Sequence, residues 1–137
     1  MILIINKTRK YKINKSKIKR LMLFLKEKMG IKKLSLSIVF CGEKYIRNYN
    51  REFRKKDEST DILSFSCDDD NYLGDLIISI PNVLKNSIRE RVPYEEELFR
   101  VLIHGFLHLL GYEHKDKNSQ MIKLQEKLLE EFLNRDG

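Results

Sequence analysis

The order of strand-like and helical segments restricts the fold of this chain more than any other feature. Strand patterns occupy residues 2–5, 34–40, 61–65 and 73–80, and an acidic turn joins the last two into a predicted hairpin. Segments with helical periodicity occupy residues 15–29, 43–53, 81–91, 94–110 and 118–133, with Asn14 as a predicted cap and Gly30 and Gly111 as stops. Four strands and five helices predict an α+β domain in which one mixed sheet is covered by helices.

The length and composition are those of one globular domain. The chain has 137 residues, of which 42% are hydrophobic and 34% charged, and it contains no repeat or linker-like tract, so we expect a single domain over residues 1–137. Cys41 and Cys67 are far apart and in no metal-binding spacing, which fits a reducing cytosol. The apolar N-terminal run is too short for a signal peptide, and no run is long enough for a membrane span. We therefore expect a cytoplasmic protein without membrane association.

Positive charge is concentrated in the first part of the chain. Residues 1–56 contain 18 Lys and Arg against 3 Asp and Glu, whereas residues 57–137 contain 9 against 17. A basic excess of this kind attracts polyanions, and in a cytosol these are chiefly RNA and DNA. Solvated lysines on exposed helix faces explain the same charge, so charge alone does not identify a partner.

The three histidines of the chain all lie within residues 104–114. His104 and His108 are four residues apart on a predicted helix, so both imidazoles project from one face. Gly111 allows a sharp turn after the helix, which lets His114 approach the other two. Three imidazoles around one metal ion with an open fourth position are typical of a catalytic zinc site, which we place at the end of the penultimate helix.

Two alternative sites share this spacing. A closed structural zinc site needs a fourth Cys or His, and neither cysteine is placed in the sequence to complete it. The spacing H-x-x-x-H-x-x-G-x-x-H is also that of metzincin proteases, in which a glutamate after the first histidine is the general base. Here that position is Gly105, so peptide hydrolysis is the weaker interpretation.

Three segments of the chain resemble the sequence motifs of one known family. Residues 104–114, HGFLHLLGYEH, resemble the family signature H-G-x-L-H-L-x-G-Y-D-H, with Glu113 in place of the usual Asp. Residues 50–65, NREFRKKDESTDILSF, are similar to N-x-x-[FY]-R-x-K-D-x-x-T-[DN]-V-L-S-F. Residues 73–76, LGDL, resemble L-G-D-[IL]. Order, spacing and total length also fit, so the chain resembles this family, the YbeY endoribonucleases.

The resemblance implies a metal-dependent, single-strand-preferring endoribonuclease. The family acts on ribosomal RNA, in maturation near the 3′ end of the small-subunit RNA and in ribosome quality control. By resemblance, His104, His108 and His114 bind one metal ion, expected to be zinc, and Arg54 and His104 are the expected catalytic residues. The expected partners are single-stranded ribosomal RNA and the small ribosomal subunit, and nothing in the sequence predicts the oligomeric state.

The chemistry of phosphodiester cleavage suits these residue types. A metal ion polarises the phosphate or activates a water molecule, and a guanidinium offers phosphate two parallel donors that lysine lacks. We expect Arg54 to contact the phosphate and Lys56 to guide the RNA backbone. Two other functions stay open: a ribosome-assembly or RNA-binding factor whose metal is mainly structural, and a metalloprotease.

Overall fold

Four strands form one mixed sheet in the computed structural model, which describes residues 1–113 and 119–136. The strands are β1 (Ile2–Asn6), β2 (Leu36–Cys41), β3 (Ile62–Ser66) and β4 (Gly74–Ser79). Their order is β1-β2-β4-β3, in which β1, β2 and β4 are parallel and β3 pairs antiparallel with β4 at one edge. The predicted strands and the predicted hairpin are therefore confirmed.

Within the residues that the structure describes, five helices accompany the sheet, as the sequence predicted. They are α1 (Lys15–Lys28), α2 (Glu43–Arg54), α3 (Ile80–Glu90), α4 (Tyr94–Leu109) and α5 (Gln120–Asp136). The predicted cap is present, since the Asn14 side chain accepts a hydrogen bond from the backbone N–H of the third residue of α1. Element boundaries differ from the predicted ones by one to three residues. Between the last strand and the next helix, β4 ends at Ser79 and α3 already begins at Ile80, because Pro81 has the φ angle of a first helical turn and needs no N–H partner there.

The two faces of the sheet are covered differently. One face packs against α1, α4 and α5 and contributes the fully buried Leu36, Ile38 and Phe40 of β2. The opposite face forms a smaller cluster in which Ile46 of α2 is buried. Most of α4 is buried between the sheet and its neighbouring helices.

No helix in the described ranges combines the length and apolar character needed to cross a bilayer.

Candidate active site

Gly105 lets helix α4 lie unusually close to the edge strand β3. A Cβ atom at this position would be 2.4 Å from Ile62 Cδ1, 2.9 Å from Leu76 Cδ2 and 3.2 Å from Ser64 Oγ. The Ser64 hydroxyl also donates a 3.3 Å hydrogen bond to the Gly105 carbonyl. This close packing brings the histidines on either side of Gly105 to the edge of the sheet. It also leaves no space for the glutamate that a metzincin protease has at this position.

His104 and His108 present their Nε2 atoms to each other. These two nitrogens are 3.1 Å apart, and the rings are nearly perpendicular, with centroids separated by 4.6 Å. Two nitrogens bound to one tetrahedral zinc ion at about 2.0–2.1 Å would be separated by about 3.3 Å. The spacing of the pair therefore fits two ligands of a single metal ion.

The turn after α4 is closed by a Schellman motif. Gly111 has φ +97°, and its N–H bonds to the His108 carbonyl at 2.9 Å, while the Tyr112 N–H bonds to the Leu107 carbonyl at 3.0 Å. The predicted stop at Gly111 is thus confirmed. The predicted third ligand, His114, lies outside the described residues. Among residues 1–113 and 119–136, no group of three His, Cys, Asp or Glu side chains is arranged to hold a metal ion.

An open cleft of about 390 Å³ lies beside the histidine pair. Its lining is mostly polar and comes from α2, the loop before β3, β3 itself and α4. The lining residues are Arg54, Thr60, Asp61, Ile62, Ser64, Ser66, His104 and His108. Two residues that the sequence predicted to act together, Arg54 and His104, therefore face the same space. Lys56 is exposed and is not among the lining residues.

Arg54 is the last residue of α2, and its guanidinium carbon lies 6.0 Å from the centroid of the Phe65 ring. The following residue, Lys55, has φ 55° and ends the helix in a left-handed conformation. Asn50 holds the basic turn in place, since its carbonyl accepts the N–H of Lys56 at 3.2 Å and its side chain donates to the Glu58 carbonyl at 3.0 Å. The direction of Arg54 toward the cleft is thus set by the geometry of the helix end.

Asp61 and Gln125 contribute polar groups to this site that the sequence did not predict. Asp61 lines the cleft, and its carboxylate accepts a 3.0 Å hydrogen bond from the Asn86 side chain. Gln125, on α5, contacts His104 Nδ1 through its Oε1 at 2.7 Å. Asp61 lies within the segment that resembles a family motif, so the motif itself was a signal. Gln125 lies 21 residues from His104, and no sequence pattern connects them.

Fold and cleft together define the class: a small α+β protein with an enzyme-like polar cleft in which two imidazoles and a guanidinium converge. The sequence model of the family described as Endoribonuclease YbeY matches residues 3–133. An Endoribonuclease YbeY of Persephonella marina is 38% identical over 127 residues, covering 86% of this chain and 83% of its own. A protein of the same name from Borrelia turicatae is 42% identical over 115 residues, or 74% of either chain.

A solved structure agrees with these sequence relatives. The solution structure of TM1509 from Thermotoga maritima matches with a TM-score of 0.71 and 31% identity, covering 98% of this chain and 91% of that one. The chain belongs to the YbeY endoribonuclease family. This confirms the resemblance seen in its motifs.

Proposed function

We propose that this chain is an endoribonuclease that cleaves single-stranded RNA with the help of one bound metal ion. Its proposed substrate is the precursor of small-subunit ribosomal RNA near the 3′ end, together with defective ribosomal RNA in quality control in the cytoplasm. The observation that carries the proposal is that Arg54 and the His104–His108 pair, which lie on different elements, line one open cleft. Membership of the YbeY family supports the same activity.

The residues of the cleft fit a metal ion. His104 and His108 would hold it through their Nε2 atoms, and His114 is the proposed third ligand. Zinc is the proposed metal, because imidazole nitrogens suit it and a three-histidine set leaves a position for substrate. When bound, the ion supplies Lewis acidity toward a phosphoryl oxygen and lowers the pKa of a water molecule.

Arg54 is the proposed phosphate-binding residue. A phosphodiester gains negative charge on its non-bridging oxygens as the attacking oxygen approaches, and a planar guanidinium offers them two parallel N–H donors. The Phe65 ring beneath the guanidinium limits its freedom, so less side-chain entropy is lost when phosphate binds. Lys56 lies outside the lining of the cleft, so its proposed part is to attract the RNA backbone at longer range.

An exposed aromatic ring next to Arg54 in the sequence supports the preference for single strands. Phe53 is 62% exposed, and its ring centroid is 5.1 Å from that of Tyr49 and 6.1 Å from that of Phe65. Aromatic faces bind unpaired bases by stacking, whereas the bases of a duplex are already stacked on each other. Phe53 directly precedes Arg54 on α2, so an RNA strand whose phosphate meets Arg54 passes close to this exposed ring.

The test measures metal content and RNA cleavage in the same preparations. Untagged wild type, His108→Ala, Arg54→Ala and Arg54→Lys are analysed by mass spectrometry and assayed on single-stranded RNA and precursor ribosomal RNA. Arg51→Ala is the matched control, because Arg51 carries the same charge one turn earlier on α2, is exposed, and bonds to Asn48 and Asp57 outside the cleft.

We expect one metal ion per chain in wild type and its loss in His108→Ala. Cleavage should fall about 10²–10³-fold in Arg54→Ala, as when a single donor to a transition-state oxyanion is removed, and less in Arg54→Lys. Arg51→Ala should stay near wild type. A metal-loaded wild type that cleaves neither RNA contradicts the proposal and favours the assembly-factor function, and a wild type without metal contradicts the metal site.

A further inference from the structure

A buried glutamine on α5 contacts the ring of His104. Gln125 is 6% exposed, and its Oε1 is 2.7 Å from His104 Nδ1. Its amide nitrogen donates a 3.1 Å hydrogen bond to Glu126 Oε2. A carboxylate accepts hydrogen bonds, so the amide nitrogen of Gln125 must face Glu126 and the amide oxygen must face His104.

Glu126 is itself held by a two-pronged ion pair. Arg100 Nε lies 3.0 Å from Glu126 Oε2, and Arg100 Nη2 lies 3.1 Å from Glu126 Oε1. The third nitrogen, Nη1, bonds to the nearly buried Glu97 at 2.7 Å. Partial burial of Arg100 opposes its charge, but its hydrogen bonds to the two carboxylates dominate and raise the pKa of its guanidinium above the ordinary value. Donor and acceptor are therefore defined at each hydrogen bond from Arg100 through Glu126 to Gln125.

We propose that Gln125 is a positioning residue for the active site. Because an amide oxygen only accepts, His104 must carry its proton on Nδ1, which leaves the Nε2 lone pair of the neutral ring directed toward His108 and the cleft. Nε2 is the atom through which His104 would bind the metal ion. Glu126 and Arg100 act one step further out, because they prevent the Gln125 amide from turning its nitrogen toward His104.

This arrangement resembles the hydrogen bonds that orient metal-binding histidines in general. The ring nitrogen opposite the metal usually donates to a carboxylate, a carbonyl or water, and loss of such a partner typically weakens metal affinity or activity about 10–100-fold. The inference rests on the proposed metal site. Its test therefore includes a measurement on the metal-free protein that requires neither metal nor RNA.

The experiment compares three variants with wild type. Gln125→Met keeps the length of the side chain but has no comparable acceptor. The double variant Gln125→Glu, Glu126→Gln exchanges the two side chains. Residue 125 then again offers an acceptor to His104, and the amide of residue 126 supplies the donor for the hydrogen bond between the two positions. Leu128→Ala is the control for general destabilisation, because Leu128 is buried on the same helix and belongs to the apolar core. Cobalt(II) and zinc affinities are measured by competition with a chromophoric chelator, and imidazole tautomers by ¹⁵N NMR of the metal-free proteins.

We expect Gln125→Met to weaken cobalt(II) and zinc binding about 10–100-fold and the exchange to restore most of the affinity. Leu128→Ala should keep wild-type affinity at temperatures where it is folded. His104 should carry its proton on Nδ1 in the metal-free wild type and lose that preference in Gln125→Met. Equal affinities and tautomers in wild type and Gln125→Met would overturn the inference, as would an equal affinity loss in Leu128→Ala.

Two further outcomes separate this inference from the proposed function. If wild type binds no metal, the proposed metal site fails, but the tautomer of His104 still decides whether Gln125 orients the ring. If Gln125→Met does not fold, the wild-type spectrum decides: a His104 ring protonated mainly on Nε2 contradicts the positioning role, and a ring protonated on Nδ1 supports it.

Discussion

Replacing Gly105 with alanine should destabilise the protein even though alanine is the better helix former. In a helix interior the exchange is worth about 1 kcal/mol in favour of alanine. The new methyl group, however, would lie 2.4 Å from Ile62 Cδ1 and 2.9 Å from Leu76 Cδ2, inside van der Waals contact on two sides. Overpacking costs about 1–3 kcal/mol, and the close contacts on two sides place this site in the upper part of that range, at about 2–3 kcal/mol. After the helix gain is subtracted, we expect a net loss of about 1–2 kcal/mol in the free energy of unfolding.

The nearest clash offers a sharp control, because Ile62→Val removes the Cδ1 atom that the new methyl group would meet. The four proteins of the double-mutant cycle are unfolded in urea, and their free energies are obtained by linear extrapolation. In the background of Ile62→Val, Gly105→Ala should cost about 1 kcal/mol less than in wild type. A Gly105→Ala protein as stable as wild type, or an equal cost in both backgrounds, would refute the packing argument.

The same substitution separates metal binding from cleavage. His104 and His108 lie on α4 and would move with it as a unit, whereas Arg54 lies at the end of α2. We therefore expect Gly105→Ala to keep most of its metal affinity, measured as for wild type, and to lose much more of its RNA cleavage. Equal losses of both would show that the substitution disturbs the histidine pair itself.

Four further predictions concern stability and thiol reactivity. Burial raises the pKa of the Cys41 thiol from 9.0 to about 12, so a thiol reagent at pH 8 should titrate only the exposed Cys67 until the protein unfolds, and Cys67→Ser should show no fast thiol. Above about pH 9 the unfolded thiol loses its proton while folded Cys41 keeps it, so this group should lower stability as pH rises toward 12; Cys41→Ala should show a weaker decline in urea unfolding. Asn14→Ala should lower the free energy of unfolding by about 1 kcal/mol through loss of the α1 cap, and an unchanged urea midpoint would contradict this. Asn50→Ala should cost about 1–3 kcal/mol, because the buried side chain no longer donates to the Glu58 carbonyl, and a cost below 0.5 kcal/mol by the same method would count against it (roughly the size of a neutral surface change).

The fold was predictable because local signals agreed along most of the chain. Alternating burial in β2, the cap at Asn14 and the stop at Gly111 each depend on residues close in sequence, and each appears in the structure where the pattern indicated. The boundary between β4 and α3 was less predictable. There, an apolar run that favours a strand is followed directly by a proline that favours the first turn of a helix. The strand and helix preferences therefore overlap at Ile80.

The site was predictable only as far as its motifs reach. The i,i+4 spacing of His104 and His108 determines that their imidazoles share a face, so their approach within one helix follows from the sequence. Their meeting with Arg54 depends instead on the edge position of β3 and on the absence of a side chain at Gly105, which together bring α4 and the end of α2 to one cleft. From the sequence, Gly105 indicated only that the general base of a metzincin protease is absent. In the structure, Gly105 allows α4 to approach β3 closely enough for the cleft to form.

The contact between Gln125 and His104 is the part of the site that could not be predicted from the sequence. A glutamine inside an amphipathic helix has the same local pattern whether it faces solvent or an imidazole, and the i,i+4 rule relates residues only within one helix. The rotation of α5 about its axis is determined jointly by several buried side chains that pack into the core with α4 and α1, among them Leu128, Leu129 and Phe132, so truncation of one of them leaves the orientation of the helix unchanged. Apolar packing therefore selects the polar residue that reaches His104. The orientation of the active-site ring is in this sense a consequence of core packing on a different helix, and substitutions that rotate α5 should impair the site without touching any residue of the cleft.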